Sequence, residues 1–181
     1  MNTVTITAKE FLHILNEKGI NPDNLSQMVV KRLIEKGEKL ATAESCTGGS
    51  ISKRITDISG ASGVFDCGVC SYGNNIKSKV LGVKSETLER VGAVSPETAV
   101  EMALGVKKLA NSHYGLSTTG IAGPTGGTKE KPVGLVYIGI SSQKNTYAIK
   151  ALLGEQGYNR ENIRKIATDL ALFSIYSEIG E

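Results

Sequence analysis

The sequence has only two histidines, three cysteines and no apolar run that approaches membrane-spanning length. Each shortage removes a class of function. A spanning helix needs roughly 18 or more apolar residues, so no membrane segment is expected. The opening stretch MNTVTITAKEFLHIL lacks a basic region followed by an apolar run, so it does not read as a secretory signal and a cytoplasmic location is expected. An odd cysteine count suits a reducing compartment, because a secreted chain would leave one thiol unpaired. An excess of one charge is missing too. Against 21 Lys+Arg stand 18 Asp+Glu, and the net +3 is evenly spread, which points away from nucleic acid and anionic membranes as partners.

What is present is an ordinary globular composition, with 40% hydrophobic and 22% charged residues over 181 positions. That length corresponds to about one domain, able to bury a core without staples. Residues 1–23 read as a short extension: a polar start, an amphipathic piece around Phe11, Leu12 and Leu15, then KGINPDN. The main domain is expected over 24–181. Asn24 or Ser26 caps a helix carrying Met28, Val29, Leu33 and Ile34 and ending near Gly37. KLATAE is a buried strand, followed from Gly48 or Gly49 by a helix with Ile51, Ile55 and Ile58 inward. VFDCGVCSY is strand-like, and GNNIKSKVLG is a turn with a short helix. In SPETAVEMALGVKKLAN, Ser95 is the cap, Pro96 the first helical residue and Glu97 favours the dipole. PVGLVYIGIS and TYAIKALL form a hairpin across SQKN, and a last helix runs from about Arg160 to Ile179. Alternating helices and strands predict a three-layer α/β/α fold around a mixed, largely parallel sheet.

The stretch AESCTGG carries the first candidate chemistry. A strand that ends in Ser45 and passes into a helix N-terminus places unpaired backbone amides beside a nucleophile, able to hold an oxyanion or a phosphate. Gly48 and Gly49 permit close approach of a ligand. The plainer reading is that Ser45 or Thr47 merely caps the helix. His13 and His113 lie outside any glycine-rich turn, which disfavours a Ser-His-Asp arrangement. A lysine base remains. Ser50–Lys53 spells S-x-x-K but lacks the S-D-N and K-T-G companions of penicillin-recognising enzymes. Lys77 sits just beyond the next strand, whose end a parallel sheet brings beside Ser45. To act as a base near neutral pH, its pKa must fall by about three from ~10.4, at a cost of roughly 4 kcal/mol. Burial near Tyr72 would supply such a shift.

Two other motifs compete for attention. Cys67 and Cys70 form C-x-x-C, but positions three apart on a strand face opposite ways and no second ligand pair exists, so core or semi-buried thiols are expected rather than a zinc or redox site. STTGIAGPTGG offers a glycine loop from Gly120 through Gly123 to Gly127 whose amides can wrap a phosphate or ribose, although it is neither G-x-G-x-x-G nor a Walker loop. Arg160 and Arg164 open the last helix against the sense of its dipole, which hints at an anionic ligand; solvated arginines are the plainer reading.

ATAESCTGGSISKRITDISGASGVF, CSYGNNIKSKVLGV, GAVSPETAVEMA, STTGIAGPTGG with EKPVGLVYIGI, and the arginine after GEQGYN together resemble the CinA C-terminal domain family, in order from about residue 24 to 178. That family includes stand-alone nicotinamide-nucleotide amidases. The resemblance implies hydrolysis of nicotinamide mononucleotide to nicotinate mononucleotide and ammonia, in pyridine nucleotide salvage, through a Ser-Lys pair. It places the nucleophile on Ser45, the base on Lys77 and an assisting tyrosine on Tyr72. It also places substrate contacts on Thr119 and, on the phosphate side, Arg160; the reading of the two glycine turns adds Thr47, Gly48, Gly49, Gly120 and Gly123 as substrate-binding positions. The resemblance implies no metal or organic cofactor, a small nucleotide as partner and a homodimer. Full-length CinA proteins carry a large additional N-terminal domain, so the stand-alone type is expected here. The competing expectation is a non-catalytic nucleotide-binding or competence-associated module, which keeps the glycine loops but has no use for a depressed Lys77. A third is an amidase for free nicotinamide, disfavoured because Arg160 would have no phosphate to meet.

Overall fold

The computed structural model describes residues 3–154 and 157–180. Six strands form one mixed sheet in the order β1-β6-β5-β4-β2-β3. β2 (Leu40–Glu44) is buried at every position and runs parallel to both neighbours, β3 (Phe65–Cys70) and β4 (Tyr114–Gly120). β5 (Leu135–Ser141) and β6 (Thr146–Leu152) continue the sheet antiparallel as a hairpin, and β1 (Val4–Thr7) closes it parallel to β6.

Helices cover both faces. On one lie α4 (Asn74–Leu81), α5 (Ser85–Val91) and α6 (Pro96–Ala110); on the other lie α1 (Ala8–Glu17), α2 (Leu25–Lys36), α3 (Ser50–Thr56) and α7 (Arg160–Gly180). The expected three-layer α/β/α architecture is what the chain forms. α6 is started by Ser95, whose hydroxyl accepts from the Thr98 amide at 3.2 Å, with Pro96 at the first position. It lies so close on the sheet that a Cβ at Gly115 or Gly139 would run into the carbonyl oxygens of Ala103 and Ala99. Among the described residues, no helix is long and apolar enough to cross a membrane.

Two differences from the sequence reading concern the start of the chain. The expected polar start is a strand, and α1 behind it sends Phe11 and Leu15 into the cluster that also holds α2 and α7, with Leu12 left 42% exposed. On α2, Val30 is buried with Val29 and Leu33, whereas Ile34 is 51% exposed because it lies about 100° round the helix from Leu33.

Strand alternation on β2 prepares the site. Ala41 and Ala43 face α6 beside Met102 and Val106, while the Thr42 hydroxyl meets the Ser52 hydroxyl of α3 at 2.8 Å. Glu44 therefore faces α3. The next residue, Ser45, turns back toward α4.

Candidate active site

Ser45 follows the last residue of β2, its amide held by the Thr118 carbonyl of β4 at 2.9 Å. It is 9% exposed. Lys77 reaches it from α4, where Lys77 and Leu81 occupy the same inward face one turn apart. Lys77 Nζ stands 3.1 Å from Ser45 Oγ, 2.7 Å from the Ser71 carbonyl and 3.3 Å from the Tyr72 carbonyl. The side chain is 1% exposed, and burial lowers its pKa from the ordinary lysine value. No carboxylate of the described residues lies within ion-pair distance of it.

Cys46 presents the contrasting case. Burial pushes its thiol up to about 12, so it stays protonated at neutral pH although it lines the same cleft. Cys67 and Cys70 are free thiols on β3, half-buried and exposed.

The cleft around Ser45 and Lys77 has a volume of about 270 Å³, near the lower end of small-ligand sites at roughly 300 Å³. One wall is Tyr72 and Asn74; the other is the loop from Thr119 through Gly126. The Thr119 hydroxyl donates to the Ala93 carbonyl at 2.7 Å, fixing the segment that enters α6 against the end of β4. Arg160, at the start of α7, spans the mouth. Its Nη1 donates to the Gly123 carbonyl at 2.7 Å and its Nη2 to the Tyr72 hydroxyl at 2.9 Å. Among the described residues, Lys77 and Arg160 are the charged ones lining the cleft, and no acid joins them.

The residues named from sequence thus divide. Ser45, Lys77, Thr119, Gly120, Gly123 and Arg160 converge on one cleft. Tyr72 lines it too, but its ring is 66% exposed and its hydroxyl is engaged by Arg160 rather than by the Ser45–Lys77 pair. Thr47, Gly48 and Gly49 do not line the cleft. The reason is Glu44, which the sequence reading treated only as the end of a strand. Its carboxylate takes the amides of Gly49, Ile51 and Ser52 at 3.0, 3.1 and 2.8 Å, and the Thr47 hydroxyl at 2.7 Å. The α3 amides expected to face an oxyanion are spent on this side chain. Behind the turn, Arg164 Nη2 donates to the Thr47 carbonyl at 2.7 Å.

The CinA C-terminal domain profile matches residues 22–179. The chain belongs to this family. A relative described as a competence-damage inducible protein, from Caldanaerobacter subterraneus subsp. tengcongensis, is 53% identical over 158 residues, covering 86% of this chain and 38% of that protein. A CinA-like protein from Kosmotoga olearia is 50% identical over 154 residues, 85% of this chain and 37% of its own. The chain therefore spans less than two fifths of the length of these curated relatives. The crystal structure of competence/damage inducible protein CihA from Agrobacterium tumefaciens superposes with a TM-score of 0.84 at 36% identity, over 88% of this chain and 96% of that one.

Within this CinA domain, sequence reasoning missed Asn74 on the cleft wall and Glu44 in the turn behind Ser45. Asn74 opens α4 at the cleft wall, one helical turn before Lys77, and that spacing is the signal that would have found it. For Glu44 the signal was an acid just ahead of a helix whose own N-cap, Gly49, offers no side chain.

Proposed function

We propose that this CinA-family chain is an amidohydrolase that converts nicotinamide mononucleotide and water to nicotinate mononucleotide and ammonia. The observation that carries the reading is the buried Ser45–Lys77 pair at 3.1 Å, with no acid among the described residues to hold the lysine charged. A neutral Lys77 would keep two N–H bonds for the Ser71 and Tyr72 carbonyls and turn its lone pair to Ser45. Ser45 Oγ attacks the carboxamide carbon as its proton passes to Lys77. The tetrahedral intermediate collapses, the C–N bond breaks, and Lys77 gives the proton to the leaving nitrogen. Water then attacks the acyl-serine with Lys77 again as base, releasing the carboxylate and restoring Ser45.

The rest of the cleft fits an anionic mononucleotide. Arg160 at the mouth, with no acid among the described lining residues, suits a phosphate, and the glycine loop from Gly120 gives backbone the room to approach a ribose. Binding energy gathered there would hold the amide against Ser45. No step calls for a metal or an organic cofactor.

The test is product analysis. The purified protein is incubated with nicotinamide mononucleotide, and nicotinate mononucleotide and ammonia are quantified together; one-to-one formation is expected. Free nicotinamide should be hydrolysed at least about tenfold less efficiently, because a hydrogen bond to a charged group is worth roughly 1.5–3 kcal/mol. Absence of both products from the mononucleotide overturns the reading.

A further inference from the structure

Glu44 is fully buried at the end of β2, and its two carboxylate oxygens collect five donors. Oε2 takes the Thr47 hydroxyl and the amides of Gly49 and Ile51; Oε1 takes the amide and the hydroxyl of Ser52, at 2.8 and 2.7 Å. No cation pairs with it among the described residues. Burying an unpaired charge is costly, and an uncharged cap from a local serine or threonine would satisfy a helix start at far less cost. The arrangement does something a local cap would not. Bonds from residue 44 to residues 47, 49, 51 and 52 close a ring around the turn that contains Ser45. The Glu44 carbonyl accepts the Ser71 amide at 2.8 Å, and the Ser71 carbonyl accepts Lys77 Nζ. One residue thus ties the turn of the nucleophile to the segment that orients the base.

We propose that Glu44 is a positioning residue for the Ser45 nucleophile, its buried carboxylate locking the turn that carries Ser45 Oγ to Lys77 Nζ. The inference rests on the Ser45–Lys77 reading. It also means that the amides of Gly49, Ile51 and Ser52 are committed to Glu44 and do not serve an oxyanion. In Glu44→Gln an amide group replaces one oxygen and faces backbone N–H groups, so at least one donor loses its acceptor and the turn loosens. A misplacement on the order of 1 Å costs about 100-fold in a positioned reaction.

The test measures Ser45 itself. The full chain is treated with diisopropyl fluorophosphate, a serine-directed reagent that requires no nucleotide recognition, and the labelling rate at Ser45 is followed by peptide mass spectrometry. Glu44→Gln and Glu44→Asp, checked as folded by circular dichroism, are expected to label about 100-fold more slowly, with KM for nicotinamide mononucleotide within about threefold of wild type and the loss in kcat. Ile55→Val, which loosens the packing of α3 without touching the carboxylate, should label at the wild-type rate. A folded carboxylate variant that labels within about threefold of wild type overturns the proposal, as does equal slowing in Ile55→Val. If neither carboxylate variant folds, Ser52→Ala, which removes one donor, carries the test: several-fold slowing supports the role and an unchanged rate refutes it. A wild-type protein that fails to label at Ser45 removes the nucleophile reading and Glu44's role with it. Normal wild-type labelling with unchanged variants removes Glu44's role alone.

Discussion

Replacing Lys77 by methionine removes the proposed base while keeping most of the side chain's shape. The lysine stem is 1% exposed on the inward face of α4, and methionine is unbranched and of similar length, so the packing beside Leu81 survives. Two carbonyls lose a donor, those of Ser71 at 2.7 Å and Tyr72 at 3.3 Å. An unsatisfied buried acceptor costs about 1–3 kcal/mol, and deleting an amine that burial disfavours in its charged form offsets part of it. The Tyr72 bond is long and only part-buried, so the Ser71 carbonyl dominates and the expected stability loss is below about 3 kcal/mol, or under roughly 12 °C in Tm for a domain of this size. Catalysis should suffer more. A general acid–base is worth about 10²–10⁴-fold, which is roughly 2.7–5.5 kcal/mol of barrier. The assay is ammonia release across a range of nicotinamide mononucleotide concentrations, beside a circular dichroism melt. A folded Lys77→Met that keeps more than about a tenth of wild-type kcat/KM refutes the reasoning.

Lys77 also sets the pH dependence. Its pKa is lowered from 10.5 by burial and its neutral form is the proposed base, so kcat/KM should rise through a midpoint below the ordinary lysine value and then level off. Between the folded and unfolded pKa the unfolded chain holds the extra proton. The Lys77 contribution to stability is therefore fully present above the unfolded value and lost as pH falls through the folded one, and the stability gap between wild type and Lys77→Met should widen as pH is raised toward about 10. A gap that narrows with rising pH contradicts the assignment. Arg160→Ala should raise KM for the mononucleotide about tenfold or more and leave Ser45 labelling by a phosphate-free reagent nearly unchanged. Equal loss in both measurements would mean that Arg160 shapes the cleft rather than meeting phosphate.

The Ser45–Lys77 pairing was legible because two neighbouring parallel strands deliver their ends to one edge of the sheet, and the apolar run of β2 and the short helix after β3 both show in the sequence. Tyr72 was less legible. Ser71 is fully buried and the next side chain is thrown outward, so the ring stands on the rim beside Arg160 instead of over the nucleophile. β1 escaped notice because four residues alternate too briefly to stand out, and its partner β6 lies far along the chain, Val4 opposite Ile149. α5 was missed as well, since Ser85–Val91 is short and its N-cap, Lys84, makes no side-chain capping bond. Glu44 read as a polar end to a strand because its meaning depends on amides five to eight residues further on, which only the folded turn brings to it.

The most direct test of the account compares ammonia release from nicotinamide mononucleotide by the wild type, Ser45→Ala and Cys46→Ala, each verified as folded. The geometry predicts loss of activity in Ser45→Ala alone, because Lys77 meets the Ser45 hydroxyl while the neighbouring thiol is held protonated by burial. Activity that survives in Ser45→Ala, or disappears in a folded Cys46→Ala, would contradict it.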